Sequence, residues 1–103
     1  MNNAIKNKYF ETTDYSKFKK ARGNRPVDEA HVNQLKKLIA DKDLYDPIRV
    51  NQNMEVIDGQ HTLQARKELD LVVPYIIIKS DDPLDVARLN TGRKNWSMEA
   101  YLN

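Results

Sequence analysis

The chain has 103 residues, enough for one domain with one modest core. Apolar residues make up 40% and charged residues 31%, with a net charge of +2, which is an ordinary globular balance rather than that of a disordered or strongly polyionic chain. The absence of cysteine excludes disulfides, thiolate metal sites and a cysteine nucleophile.

The N-terminus, Met1 to Ile5, lacks the apolar stretch of a secretion signal. The longest apolar run, Leu71 to Ile78, is too short to span a bilayer and contains Pro74. The expectation is a soluble, cytoplasmic protein with no membrane partner. Charge is uneven along the chain. Residues 1–25 carry Lys6, Lys8, Lys17, Lys19, Lys20, Arg22 and Arg25 against only Glu11 and Asp14. A basic start of this kind suits either a polyanion-binding arm or a solvated segment.

Residues 1–23 show no sustained periodicity. Their aromatic residues argue against full disorder. A short strand or turn is expected there, with Tyr15 and Phe18 anchored on the domain. Gly23-Asn24 breaks the chain. A helix is predicted from Asp28, an N-cap residue followed by Glu29 in the first turn. Val32, Leu35, Leu38 and Ile39 are assigned to its apolar face, with Lys36 and Lys37 on the solvated side. Asp41-Lys42-Asp43 should stop it.

Pro47 to Val50 and Met54 to Ile57 flank the polar Asn51-Gln52-Asn53, which predicts a hairpin. Asp58-Gly59 ends its second strand. A helix is expected from Gln60 to Leu69, with Leu63, Ala65 and Leu69 inward and Arg66, Lys67 and Glu68 outward. Leu71 to Ile78 reads as a buried strand. Asp82-Pro83 starts a further helix that should stop near Thr91-Gly92. Ser97 caps a last one, barely two turns long. That short ending suggests a domain cut from a longer protein, or a helix that packs on a partner chain.

The segment that carries chemistry is Val56 to Thr62. Glycine at a strand-to-helix turn permits positive φ and close approach of a ligand. The helix that follows offers unpaired N–H groups and the positive end of its dipole. Together these suit phosphate. A plain tight turn at Asp58-Gly59, with His61 as a capping or packing residue, uses the same residues. His31 is expected at the surface or near a cap, and its spacing from His61 suggests no zinc site. Met54 and Met98 are expected as core filler.

The order of motifs resembles the N-terminal domain of ParB-like proteins, within the ParB/sulfiredoxin superfamily. The resemblance rests on Asn24-Arg25, the helix, Asp46 to Val50, Val56 to Ala65 and Val73 to Ile77, and covers residues 24–103. It is nearest to the phage and mobile-element variants with Asp-Gly-Gln-His, in which a Tyr-x-x-Phe like Tyr15 to Phe18 precedes the Asn-Arg. The resemblance implies a small α/β (α+β) domain, a short mixed sheet with three or four helices, after a basic segment over 1–23.

It also implies nucleotide or phosphate binding by Gly59, Gln60, His61 and Thr62, by the early Arg25, and by Asn90 and Arg93 of a later Asn-x-x-Arg motif. The expected ligand is CTP or ATP with Mg²⁺. Two departures weaken triphosphate binding. Thr62 replaces a second basic residue, and Leu89 replaces an acidic one. Arg66, one turn after Thr62, is a candidate to supply the missing charge. The helix-turn-helix domain with which ParB reads DNA is not in this chain. Lys17, Lys19, Lys20 and Arg22 could contact DNA phosphates without specificity.

Three functions compete. The first is a nucleotide-binding domain associated with DNA or mobile-element maintenance. The second is a nucleotide triphosphatase, nuclease or kinase-type enzyme using Asp58 or His61, with Asp46 near. The sulfiredoxin reaction is excluded because Gln60 stands at its cysteine. The third is a protein-interaction module with a degenerate pocket, pairing as a homodimer or with another domain through Trp96, Tyr101 and Leu102.

Overall fold

The structure, a computed structural model, describes residues 8–80, 82 and 84–89. Five strands form one mixed sheet: β1 (Lys8–Thr12), β2 (Lys19–Lys20), β3 (Ile48–Val50), β4 (Glu55–Asp58) and β5 (Val73–Ile77). Their spatial order is β1-β5-β3-β4-β2. β1 and β5 are antiparallel, β5 and β3 parallel, β3 and β4 antiparallel, β4 and β2 parallel. Two helices, α1 (Glu29–Asp41) and α2 (Gln60–Glu68), pack on each other, and α2 also contacts β3 and β5. Residues 84–89 are helical as well. The resulting small α/β domain is the architecture expected from the sequence.

Alternation along β4 divides the core in two. Val56 joins Ile48, Val50, Val73 and Tyr75 in one cluster, with Leu63 of α2 packed on it. Ile57 joins Ala21 and Val86 in a second cluster with Leu89 beside it, so the helix at 84–89 covers that patch. Asp82 caps this helix by accepting the Leu84 N–H at 2.9 Å. The expectations for residues 90–103, including the two last helix boundaries and the interface residues, lie outside the described residues.

The basic segment is part of the sheet, because residues 8–20 supply both of its edge strands. Tyr15 and Phe18 anchor it as expected. The Tyr15 hydroxyl donates to the Leu71 carbonyl at 2.7 Å. Phe18 meets Tyr75 edge to face, with ring centroids 5.2 Å apart.

Asp28 caps α1, its carboxylate accepting the N–H groups of Ala30 and His31 at 3.0 and 3.4 Å. The helix ends at Asp41, as the polar stop predicts. Its buried stripe is narrower than expected: Val32 is buried, but Leu38 is exposed. At 100° per residue Leu38 lies well off the line through Val32 and Ile39. Lys36 is not merely solvated either; it pairs with Glu68 of α2 at 3.0 Å.

Pro74 sits within β5, a strand with neighbours on both sides, where proline is rare. The register explains it. The Ile78 N–H bonds the Val50 carbonyl at 2.8 Å, so every second amide back along β5 faces β3. That ladder begins at the Ile48–Tyr75 pair. The missing amide of Pro74 therefore falls just before pairing starts.

Candidate functional site

β4 ends at Asp58 and α2 begins at Gln60, so a single residue makes the turn. Gly59 makes it with φ +104°. A Cβ at Gly59 would lie 2.7 Å from Cγ2 and 2.9 Å from Cβ of Ile48. The glycine is therefore demanded by backbone conformation and by the packing of β3, whatever binds nearby.

Gly59 provides no side-chain cap. The first intrahelical bond runs from the Leu63 N–H to the Gly59 carbonyl at 2.8 Å. The amides of Gln60, His61 and Thr62 thus have no acceptor within the helix. They form the positive end of α2, as the sequence pattern predicts.

Gln60 and Arg25 meet, though not side chain to side chain. The Gln60 Nε2 donates to the Arg25 carbonyl at 2.8 Å, which fixes the loop before α1 against the first turn of α2. The Arg25 side chain is exposed. His61 makes a second tie to the same loop: its Nε2 accepts the Asp28 N–H at 3.1 Å. Its ring also packs on that of His31, with centroids 4.4 Å apart. Burial, then the neighbouring His31, push the His61 pKa below its ordinary value, against a smaller opposing pull from Asp28. An Nε2 that accepts this bond carries no proton, which leaves Nδ1 as the protonated nitrogen of the neutral ring.

Arg66 departs from both expectations made for it, as a phosphate contact and as an outward residue. It is only 2% exposed. Its guanidinium grips Asp43 through two bonds of 2.9 Å, while its Nε donates to the Val72 carbonyl at 2.6 Å. Tyr45 lies over the guanidinium carbon, 5.3 Å from ring centroid. A signal for this was present: Leu63, Arg66 and Leu69 are three apart, which puts Arg66 on the buried stripe.

Asp58 is buried and paired with Arg49 across the hairpin at 2.9 Å. Asp46 is exposed. Among the described residues no three His, Cys, Asp or Glu side chains are grouped to hold a metal. Asn90 and Arg93 lie outside the described residues. Lys17, Lys19, Lys20 and Arg22 are all exposed. Lys19 and Lys20 line an open groove of about 170 Å³ together with Val56, Leu63, Gln60 and Gln64. Two of the four cations assigned to DNA and the glutamine assigned to nucleotide thus border one groove.

No family model matches the sequence, and no curated protein matches it. Among solved structures, the fold is similar to that of a Pnob8-like ParB-N domain, with a TM-score of 0.55. The fold is ParB-like. The likeness covers 73% of this chain at 19% identity, and 31% of the solved chain, so it spans about a third of that longer protein. At that identity the likeness speaks for architecture, and the resemblance read from the motif order agrees with it. No helix among the described residues is long and apolar enough to cross a membrane.

Proposed function

We propose that this ParB-like domain binds a phosphate-bearing ligand, a nucleotide such as CTP or ATP, at the N-terminus of α2. The observation that carries the reading is the clamp from Gln60 to the Arg25 carbonyl, which holds a loop bearing an exposed guanidinium beside the three amides of α2 that have no acceptor within the helix. Amide N–H groups, a guanidinium and the nearby Lys19 and Lys20 are donors that suit phosphate oxygens. Mg²⁺ would enter with the nucleotide, shared between its phosphates and water.

The side chains of His61 and Arg66 are committed elsewhere. The ligand set is accordingly Arg25 and the amides of Gln60, His61 and Thr62, with Asn90 and Arg93 as further partners. The exposed Lys17, Lys19, Lys20 and Arg22 support a second contact, with the backbone of DNA and without base specificity. The enzyme alternative draws on Asp58 and His61, and both are already engaged, one by Arg49 and the other by the Asp28 amide.

Amide chemical shifts followed during titration with CTP, ATP or inorganic pyrophosphate test the location. The largest movements are expected at Gln60, His61 and Thr62. Movements confined to Lys17 through Arg22 would put the anion on the sheet edge instead.

A further inference from the structure

We infer that His61 and His31 form a pH-sensitive latch that joins the first turns of α1 and α2. These are the two histidines of the chain, 30 positions apart in sequence, yet their rings are 4.4 Å apart. The latch is a single hydrogen bond, in which the Asp28 amide at the start of α1 donates to Nε2 of His61 in the first turn of α2. An Nε2 that accepts a hydrogen bond has no proton. Protonation at that atom removes the acceptor and turns two donors toward each other.

Every near group has a defined role. His31 sits in the first turn of α1 and opposes a second positive charge beside it. The dipole of α2 also disfavours charge at its own first turn. Among the described residues the Asp28 carboxylate favours the imidazolium, and it is occupied in capping Ala30 and His31. The charged form of His61 is thus opposed by His31, by the helix end and by partial burial.

The consequence is a local opening in mild acid. As pH falls below about 6.5, the ordinary histidine value, His61 gains a proton only at the expense of the Asp28 bond. The loop between Arg25 and Asp28 then loses one of its two ties to α2 and keeps the other, the Gln60–Arg25 bond. The inference does not rest on the ligand reading, since it concerns bonds within this chain alone.

Nitrogen-15 NMR of the histidine rings from pH 8 to pH 4.5 is the test, on the chain as it is. At pH 8, His61 is expected as the Nδ1–H tautomer. It should titrate below 6.5, with the Asp28 amide signal shifting over the same range while that of buried Val50 stays fixed. In His31→Gln the His61 midpoint should move upward. An Nε2–H tautomer at pH 8, or an Asp28 amide that does not move as His61 titrates, would overturn the latch. Simultaneous movement of Val50 would also overturn it, by making the event global unfolding. His61→Gln should abolish the Asp28 transition. If that variant does not fold, the ring spectra of the unaltered chain decide by themselves.

Discussion

The two terminal nitrogens of Arg66 meet the two carboxylate oxygens of Asp43 at 2.9 Å each, joining the last turn of α2 to the loop that follows α1. Arg66 is the buried partner and Asp43 the exposed one, so removing Asp43 strands the guanidinium charge in a site with little water. Asp43→Ala should therefore cost roughly 3–5 kcal/mol in denaturant unfolding, and Arg66→Lys should also destabilise, because an ammonium cannot reproduce the two-pronged contact. A loss under about 1 kcal/mol would show that the pair is dispensable.

The same contact sets a pH dependence. The Arg66 guanidinium holds the Asp43 carboxyl below its ordinary 3.8. A depressed folded value means that the stabilisation is complete above about pH 3.8 and fades as pH falls through the folded value. Asp43→Asn should flatten that acid limb. Identical acid unfolding curves for the two proteins would contradict the assignment.

Gly59 is fixed by Ile48 as well as by its own φ. Gly59→Ala should cost about 3 kcal/mol through strain and overpacking. In an Ile48→Ala background, where Cγ2 is gone, the same change should cost less. Strict additivity in this double-mutant cycle would show that the contact at 2.7 Å is not the source of the penalty.

Tyr15→Phe removes the donor to the Leu71 carbonyl and leaves the ring. A loss of about 1 kcal/mol is expected in equilibrium unfolding, since the accepting carbonyl is left short of a partner. Unchanged stability would mean that the N-terminal strands are held by their ladders alone.

Much of this was legible in the chain. Asp28, the Asn51 turn and Asp82 announce their elements through local chemistry, and the structure follows them. Asn51 shows why: its side-chain oxygen accepts the N–H groups of Asn53 and Glu55, so the hairpin turn is written in one residue. Contacts between distant segments were less legible. Lys19 and Lys20 pair with β4 through backbone groups that any residue supplies, so no side-chain pattern marks β2 as an edge strand. His31 and His61 look unrelated until α1 and α2 pack together. Arg66 read as outward because charge outweighed position, although its spacing from Leu63 pointed inward. At the site, the glycine turn and the helix end were predicted, and a capping or packing role for His61 was one of the two readings given, whereas the commitment of Arg66 to internal partners was not predicted.

The Tyr45 hydroxyl bonds the Glu11 carboxylate, and that bond pushes its pKa up to about 12. The tyrosinate signal in an ultraviolet titration should accordingly contain one late component, absent in Tyr45→Phe. If the late component survives that change, another tyrosine is responsible.

The central claim, an anion site at the start of α2, is tested most directly by isothermal titration of the purified chain with CTP, ATP and GTP, with and without Mg²⁺, in parallel with Arg25→Ala. Arg25 is exposed, so its removal leaves the fold intact. The account predicts saturable binding of a nucleotide, at least tenfold weaker in Arg25→Ala, as expected for loss of one charge-assisted contact of about 1.5–3 kcal/mol. No saturable heat with any nucleotide, or equal affinity in the variant, would contradict it.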